Sequence, residues 1–459
     1  MSPKNWFFSA SRKLALLVIV VMVASGVSVA EWKEKVLYNF QGGNDGAVPA
    51  GGVVFDKQGN LFGATSDGGS GCTSGSCGTV FQLVPPVNKG SNWSKNILHN
   101  FQGQDGSIPE GGVILDAAGN VYGTTAYGGS GPCTLFGSTV GCGVVYEMVP
   151  PKTKNGAWTE KVLYNFLGNK DGQFPWGDLV FDKSGNLYGA TQFGGGYGSC
   201  DAPFYQHCGT IFKLSPPQTK GGKWKEKVLY SFKNGKDGAN PNGGLIFDQA
   251  GALYGTTYSG GSTTNCVFTG FAGCGTVFRL QSTAGEGAWS EQVLYRIKGR
   301  PDDGVHPLAG VTLGTKGDVY GTAIGGGKQE GGVVFQLVPP GENGGSWIET
   351  VIHAFSLGGD GGASPMGGLI IDGKGNLLGT TNAEGVYFGG TVFRLGVPGT
   401  HGEKWDFGLL YSFKGPPDAQ FPAAQLFPDK AGHLYSTTQN GGTGQSCQGG
   451  CGSVFELAQ

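Results

Sequence analysis

Short apolar runs separated by Gly, Asn, Asp and Pro dominate the chain. A typical run is five or six residues long and rich in Val, Ile, Thr, Tyr and Phe, as in VLYNF at 36–40 and GTVFRL at 275–280. Runs of this length and composition predict β-strands. No segment after residue 30 shows a sustained helical period. The pattern therefore predicts an all-β protein.

Four such runs recur in a fixed order, and each copy begins with a Trp. The order is a VLYNF-type run, a GGLIFD-type run, an NLYGTT-type run and a GTVFRL-type run. The repeating Trp residues are Trp32, Trp93, Trp158, Trp224, Trp289, Trp347 and Trp405. Antiparallel units of four strands, repeated seven times, predict a seven-bladed β-propeller over residues 31–459. A linear β-solenoid and a string of small sandwiches are the alternatives, but the units are long for solenoid coils and no linkers separate them.

The order of strands within a blade decides how the ring closes. By analogy with better-known propellers, the GGLIFD-type run is the innermost strand, a, the next two runs are b and c, and the Trp-led run is the outer strand, d. The chain then begins with a d strand at 36–40 and ends with a c strand at 453–457. We expect the N-terminal strand to complete the last blade. In the alternative assignment, the Trp-led strand is the first strand of its own blade. No blade then combines strands from the two ends of the chain.

The repeat itself resembles a known family. The run GLIFDQAGALYGTT at Gly244–Thr257, followed by GTVFRL at Gly275–Leu280, is similar to the GloVer tandem repeat of exported bacterial proteins. The resemblance recurs seven times and covers essentially all of the chain after residue 30. It implies an exported repeat protein, and it supplies no catalytic residue.

The first thirty residues have the features of a secretory signal peptide. Lys4, Arg12 and Lys13 precede an apolar run at 14–23, and small residues lead to Ala30, where we expect cleavage. A membrane anchor is the alternative, but a spanning helix needs about 20 apolar residues. We therefore expect a periplasmic or extracellular protein with no membrane span in the mature chain.

The ten cysteines all fall between strands b and c. They form the pairs Cys72/Cys77, Cys133/Cys142, Cys200/Cys208, Cys266/Cys274 and Cys447/Cys451. Repeats five and six contain none. Two cysteines or none per loop predict five disulfides, each within one loop, in an oxidising compartment. A zinc site would need four ligands brought together, which separate loops do not readily supply.

Charge and motifs limit the chemistry. The net charge is −2 and 14% of residues are charged, which argues against a nucleic-acid partner. No HExxH, GxSxG or phosphate-loop motif occurs. We therefore assign no catalytic residue, no metal and no cofactor.

The candidate site follows from the direction of the strands. The b–c loops and the d–a loops share one face, and loops on a rigid scaffold commonly carry function. Trp176 is the only Trp after residue 30 outside the repeating position, and aromatic residues crowd the nearby loops. The predicted ligand-binding residues are Trp176, Tyr197, Phe204, Tyr205 and His207. Packing of these rings on one another is the alternative.

Rigid aromatic residues with few charges suit stacking on sugars or contact with a protein. We therefore expect a binding or interaction module for a carbohydrate or a cell-surface ligand, with a glycan or a surface protein as partner. A propeller-type polysaccharide lyase or glycosidase is one alternative. A structural or assembly protein of the cell envelope is another.

Overall fold

A computed structural model describes most of the chain after residue 30. The described residues are 31–72, 76–88, 90–153, 156–196, 208–261, 266–268, 271–283, 287–341, 344–399 and 404–459. Seven antiparallel sheets with four strands in blade order follow one another along the chain. Two 3-10 turns, Gly43–Asp45 and Gly235–Asp237, are the only helical segments among these residues. The prediction of an all-β, seven-bladed propeller is confirmed.

Blades are numbered by their a strand; strands a to d follow chain order in blades 1 to 6, and the N-terminal strand is strand d of blade 7. Blades 1 to 4 comprise Val54–Phe55, Leu61–Thr65, Thr79–Val84 and Ser94–Asn100; Ile114–Leu115, Val121–Thr125, Val144–Val149 and Thr159–Asn165; Val180–Phe181, Leu187–Phe193, Thr210–Ser215 and Lys225–Ser231; Ile246–Phe247, Leu253–Ser259, Thr276–Ser282 and Trp289–Arg296. Blades 5 to 7 comprise Thr312–Leu313, Val319–Ala323, Glu330–Val338 and Ile348–Ser356; Ile370–Ile371, Leu377–Thr381, Thr391–Gly396 and Asp406–Ser412; Phe427–Pro428, Leu434–Thr438, Ser453–Ala458 and Lys33–Asn39.

Shorter strands extend the blades or lie in their loops. Gln173–Pro175 and Ala239–Pro241 lie before the a strands of blades 3 and 4 and pair with the b strands there. The remaining short pairs are Thr134–Leu135 with Ser138–Thr139, Val267–Phe268 with Phe271–Ala272, Gly304–Val305 with Gly325–Gly326, and Ala419–Gln420 with Asn440–Gly441.

The N-terminal strand closes the ring, as the strand order predicted. Lys33–Asn39 pairs antiparallel with Ser453–Ala458. On the inner side, the Thr437 hydroxyl donates to the carbonyl of Gly51 at 2.8 Å, which ties blade 7 to blade 1. The equivalent bond from Thr256 to the carbonyl of Ala309, at 2.7 Å, ties blade 4 to blade 5. A hydroxyl on one b strand therefore fixes the inner strand of the next blade.

The core lies between blades, and the repeating Trp residues belong to it. The ring of Trp224 on blade 3 lies 6.5 Å from that of Tyr122 on strand b of blade 2. Trp289 on blade 4 lies 6.2 Å from Tyr188 on blade 3. Each Trp therefore packs against the preceding blade, as expected. Burial of these large rings between blades is a major favourable contribution to stability.

Four of the five predicted disulfides are present, each within one b–c loop. They are Cys72–Cys77, Cys133–Cys142, Cys266–Cys274 and Cys447–Cys451. The fifth predicted pair includes Cys200, which lies outside the described residues. None of the described cysteines is free. Within the described part of the chain, no helix has the length and apolar character needed to cross a membrane.

Candidate functional site

Each blade places one side chain at the mouth of the central channel. A repeated Pro precedes strand a, and the residue after it lines a cavity of about 400 Å³ on the ring axis. The repeated prolines are Pro49, Pro109, Pro175, Pro241, Pro307, Pro365 and Pro422. The residues that follow, here called the channel-mouth residues, are Ala50, Glu110, Trp176, Asn242, Leu308, Met366 and Ala423. The scaffold therefore repeats around the axis while the side chain at the mouth varies.

Glycines next to the mouth allow the inner strands to meet backbone to backbone. A Cβ atom added to Gly177 would lie 2.6 Å from the carbonyl oxygen of Asn242 in the next blade. One added to Gly111 would lie 2.9 Å from the carbonyl oxygen of Gly177. No side chain fits in such a gap without displacing the backbone. The channel wall is therefore largely backbone, and the few side chains that reach the channel dominate its chemistry.

A strained residue before each Pro turns the chain toward the axis. All seven of these residues have positive φ angles, which L-residues rarely adopt. They are Val48, Ile108, Phe174, Asn240, His306, Ser364 and Phe421. Strain of this kind persists only where the surroundings hold it. The seven turns are therefore held by contacts with the neighbouring blade.

The b–c loops supply those contacts, and in five of the seven blades the accepting carbonyl belongs to a cysteine. The Phe174 N–H donates to the carbonyl of Cys142 at 2.9 Å, and the Asn240 N–H donates to the carbonyl of Cys208 at 2.7 Å. Each of these carbonyls belongs to the second cysteine of the preceding blade's b–c loop. Trp176 and Asn242 follow two residues after the bonded N–H groups. A disulfide-bonded b–c loop on one blade thus positions a channel-mouth residue on the next blade.

The channel contains carboxylates and lacks a compensating cation. Burial and, to a smaller extent, the nearby charge of Asp67 raise the pKa of Glu110 to about 7. Burial also raises the pKa of Asp178, although the Gly112 N–H donates to its Oδ1 at 2.5 Å and opposes that shift. Among the described residues, no Lys, Arg or His lines the cavity. The channel therefore favours neutral hydroxylated ligands or cations over anions.

A second set of carboxylates lies at the outer junctions between blades. The Tyr164 hydroxyl donates to Asp171 at 2.9 Å, and Glu226 of the next blade faces that aspartate. Burial raises the pKa of Glu226 to about 7, with the charge of Asp171 as a further cause, and its buried Oε1 has no hydrogen-bond partner. Five junctions have a glutamate at this place, four with a tyrosine hydroxyl on the aspartate and one with His99 instead. Their glutamates, here called the rim glutamates, are Glu34, Glu160, Glu226, Glu291 and Glu349.

Two junctions depart from this arrangement. Lys95 takes the place of the glutamate between blades 7 and 1 and forms a 2.6 Å ion pair with Asp45. Phe407 takes it between blades 5 and 6 and stacks on His353 with ring centroids 4.4 Å apart. These replacements preserve contact between the blades by other chemistry, which is typical of a packing position.

One rim junction also has the spacing of a metal-binding group. Ligand atoms of His99, Asp105 and Glu160 all lie within 4.8 Å of one another, and no other such group of three His, Cys, Asp or Glu was found in the described ranges. His99 here replaces the Tyr of the other junctions and contacts Asp105 at 2.8 Å. At the other glutamate junctions a tyrosine hydroxyl takes the place of the His99 ring. This equivalence favours a structural role for the three residues.

Comparison with known proteins places the chain in a family. The model of the Gloeobacter/Verrucomicrobia repeat matches residues 132–268 and 263–459, which is well over half of the sequence. The chain belongs to the Gloeobacter/Verrucomicrobia repeat family. This confirms the resemblance to the GloVer repeat. The search of curated proteins found no match.

Several solved structures are similar to this repeat protein at low identity. A protein of unknown function from Dyadobacter fermentans is 12% identical with a TM-score of 0.45, covering 94% of this chain and 99% of that one. A putative 6-phosphogluconolactonase from Bacteroides uniformis is 15% identical with a TM-score of 0.44, covering 78% and 83%. A putative glucose dehydrogenase from Thermus thermophilus is 13% identical with a TM-score of 0.42, covering 93% and 100%. Likenesses this distant say nothing about the chemistry of this chain.

The predicted site residues fall into two groups. Trp176 lies at the channel mouth with its side chain partly exposed. Tyr197, Phe204, Tyr205 and His207 lie outside the described residues, so their participation stays a prediction. Glu110, Asp178 and Asn242 also line the channel and were not predicted from the sequence. The available signal was the variable residue after each repeated Pro.

Proposed function

We propose that this repeat protein is an exported binding module that holds a carbohydrate at the mouth of its channel. The observation that carries the proposal is the position of Trp176 on blade 3, between the channel-mouth residues Glu110 on blade 2 and Asn242 on blade 4. An aromatic face suits stacking on a sugar ring, and carboxylate and amide groups beside it suit hydrogen bonds to hydroxyls.

The variation around the channel mouth supports binding over a purely structural role. The prolines and glycines that flank the channel-mouth residues recur from blade to blade, because they make the turn and the close backbone contact. The channel-mouth residues include an acid, an amide, an aromatic ring and aliphatic side chains. Packing between blades does not require this variety, whereas recognition of an asymmetric ligand does.

Export is supported by three independent features. Residues 1–30 have the sequence pattern of a signal peptide, although they lie outside the described residues. Disulfides within loops form and persist in oxidising compartments. The resemblance to GloVer repeats points to exported bacterial proteins. We therefore propose a periplasmic or extracellular location.

A glycan array tests the carbohydrate proposal. We expect the wild-type protein to bind a small set of glycans and Trp176→Ala to bind them at least tenfold more weakly, since one stacking contact is lost. Phe136→Ala is the matched control, because Phe136 is a 76% exposed aromatic residue outside the channel. Equal glycan binding by wild type and Trp176→Ala would remove Trp176 from the site. Loss of binding in Phe136→Ala alone would move the site to the loop of blade 2.

A glycoside hydrolase is the second candidate, because Glu110 and Asp178 both line the channel. Such enzymes generally need one carboxyl group that is protonated and another that is ionised. Burial raises the pKa of both groups, so the pair does not show the opposite shifts that would separate an acid from a base. This favours binding. Incubating the bound glycans with the protein separates the two functions, since release of shorter products would support hydrolysis.

A further inference from the structure

The rim junction between blades 1 and 2 brings three metal-binding groups within reach of one ion. His99 lies on strand d of blade 1, Asp105 in the loop that follows, and Glu160 on strand d of blade 2. Their ligand atoms all lie within 4.8 Å of one another, and His99 Nε2 is 2.8 Å from Asp105 Oδ2. Ligand atoms of a tetrahedral zinc ion stand roughly 3.3–3.6 Å apart. Small side-chain movements therefore suffice to admit an ion between them.

His99 distinguishes this junction from the other four that contain a rim glutamate. A tyrosine occupies the position of the histidine there, namely Tyr164, Tyr230, Tyr295 and Tyr411. Burial raises the pKa of each of these tyrosines, so the phenol keeps its proton and is not a ready ligand. Imidazole nitrogen, in contrast, is the commonest metal ligand among protein side chains. The replacement of Tyr by His thus adds a ligand atom to the two carboxylates.

A second histidine at the same position provides an internal comparison. His353 occupies it in blade 5, but there Phe407 takes the place of the glutamate and stacks on the imidazole ring. A phenylalanine supplies no ligand atom. Of the two histidines at this position, only His99 therefore faces a rim glutamate.

The charges around Glu160 also differ from those at most other junctions. Its Oε1 has no hydrogen-bond partner in the described structure, and the same is true of the other rim glutamates. A nearby Lys or Arg lowers the pKa of three of those, Glu34, Glu291 and Glu349. The charged groups that influence the pKa of Glu160 are His99 and Asp105. Carboxylates that are taken out of water are usually paired with a cation or coordinate a metal ion, and here two of them share one imidazole.

The neighbouring contacts orient the ligands and leave them accessible. The Gln102 N–H donates to Asp105 Oδ1 at 2.7 Å, while Oδ2 contacts His99. The His99 ring packs edge-on against Phe101 with centroids 5.1 Å apart. The side chains of His99 and Asp105 are 18% and 21% exposed, and His99 lines an open cavity between the b–c loop and strand d of blade 1. Contacts that orient ligands in this way strengthen metal binding, and the cavity gives an ion a route from solvent.

We propose that His99, Asp105 and Glu160 bind a zinc ion between blades 1 and 2. Zinc accepts imidazole nitrogen and carboxylate oxygens, and a water molecule completes its four ligands. The ion joins strand d of one blade to strand d of the next, so its role is structural. The site departs from the sequence-based expectation of no metal. It does not depend on the carbohydrate proposal, because its ligands lie on the rim and not in the channel.

Calorimetric titration of zinc chloride into chelator-treated protein tests the site. We expect one ion per chain in the wild type and at least tenfold weaker binding in His99→Tyr, a change to the residue that the other rim-glutamate junctions carry. Glu160→Gln should also weaken zinc binding, since it removes a charged ligand at nearly constant shape. His353→Tyr is the matched control, because it makes the same change in blade 5 and should bind zinc as the wild type does. Added zinc should raise the melting temperature of the wild type but not that of His99→Tyr.

A gain of binding provides a second test. Tyr164→His sets an imidazole beside Asp171 and Glu226, so we expect this variant to bind two zinc ions per chain. Tyr38→His is its control, because Lys95 stands in place of the glutamate at that junction and the variant should bind one ion.

Three results would overturn the proposal. The first is no zinc binding at about 10⁻⁴ M, far above the range of structural zinc sites. The second is equal zinc binding by wild type and His99→Tyr. The third is loss of binding in His433→Asn alone, which would place the ion in blade 7, where His433 Nδ1 lies 3.2 Å from carboxylate oxygens of Asp429 and Glu456. Since the titration contains no sugar, none of these results bears on carbohydrate binding.

Discussion

Two rings of seven equivalent positions show how one repeated sequence separates scaffold from site. The rim ring consists of the residue two after each repeating Trp, and five of its seven members are glutamates. The channel-mouth ring consists of the residue after each repeated Pro, and alanine is the only residue that occurs there twice. Rim side chains pack against the preceding blade, whereas channel-mouth side chains line the central cavity. Contact between blades thus restricts the first ring and leaves the second available for a ligand.

The turns at the positive-φ residues before each repeated Pro lie between the two rings. Replacing a glycine that packs against one of these turns should reduce the stability of the protein more than any other change described below. Gly143 and Gly119 both have positive φ angles, but only Gly143 is crowded: an added Cβ would be 2.4 Å from the Thr125 carbonyl oxygen of its own blade and 2.6 Å from Pro175 Cδ of the next blade. Gly119→Ala should cost about 1 kcal/mol for its backbone conformation alone. Gly143→Ala should cost more than about 2 kcal/mol, because the collision adds to the same backbone cost.

Thermal and urea unfolding of the two variants measure this difference. The Gly143→Ala variant should also show altered tryptophan fluorescence, because Trp176 directly follows Pro175 and should move with it. Equal stability of the two variants would mean that the contact between Gly143 and Pro175 does not hold the inner turn.

The rim glutamates should make the folded protein less stable as the pH rises above neutral. This effect should be smaller than that of Gly143→Ala. Burial raises the pKa of four rim glutamates to about 7 and that of Glu34 to about 8, from an ordinary value of 4.5. The folded chain therefore holds these protons at pH values where the unfolded chain has released them. Stability is highest below pH 4.5 for these groups and is lost as the pH rises through 7 to 8. Glu110 and Asp178 in the channel shift in the same direction.

Buried histidines have the opposite effect on the pH dependence of stability, and they have it only at acidic pH. Burial lowers the pKa of His353 to about 4, so its contribution to stability grows as the pH rises from 4 to 6.5. Burial lowers the pKa of His306 as well. We therefore expect a net fall in melting temperature between pH 6.5 and 8.5, and a shallower fall in the double variant Glu226→Gln/Glu291→Gln. Asp406→Asn, at an exposed carboxylate, should keep the wild-type slope. A wild-type slope in the double variant would show that the rim glutamates are not the titrating groups.

The features that the sequence predicted correctly are those that follow from the regular recurrence of its strand-forming runs. Strand order, ring closure by Lys33–Asn39 and packing of the Trp residues all follow from where the runs recur. Four local disulfides followed from cysteine pairs within single loops. Trp176 was singled out because it breaks the repeat. Each of these inferences uses residues close in sequence or identical in role.

The missed features depend on contacts between blades. Glu34 and Asp418 meet only because the ring closes, and nothing in their local sequences links them. Phe174 has positive φ although residues before Pro usually adopt extended conformations, so its turn was not predictable from local preference. Glu110, Asp178 and Asn242 line one channel only because the ring sets the inner strands of blades 2, 3 and 4 side by side.

A crystal structure of the protein with its strongest array glycan tests the central claim most directly. We expect a sugar ring stacked on Trp176 at the channel mouth, with hydroxyls within hydrogen-bond distance of Glu110 or Asn242. Sugar density on the rim, or on the opposite face of the ring with the channel mouth empty, would contradict it.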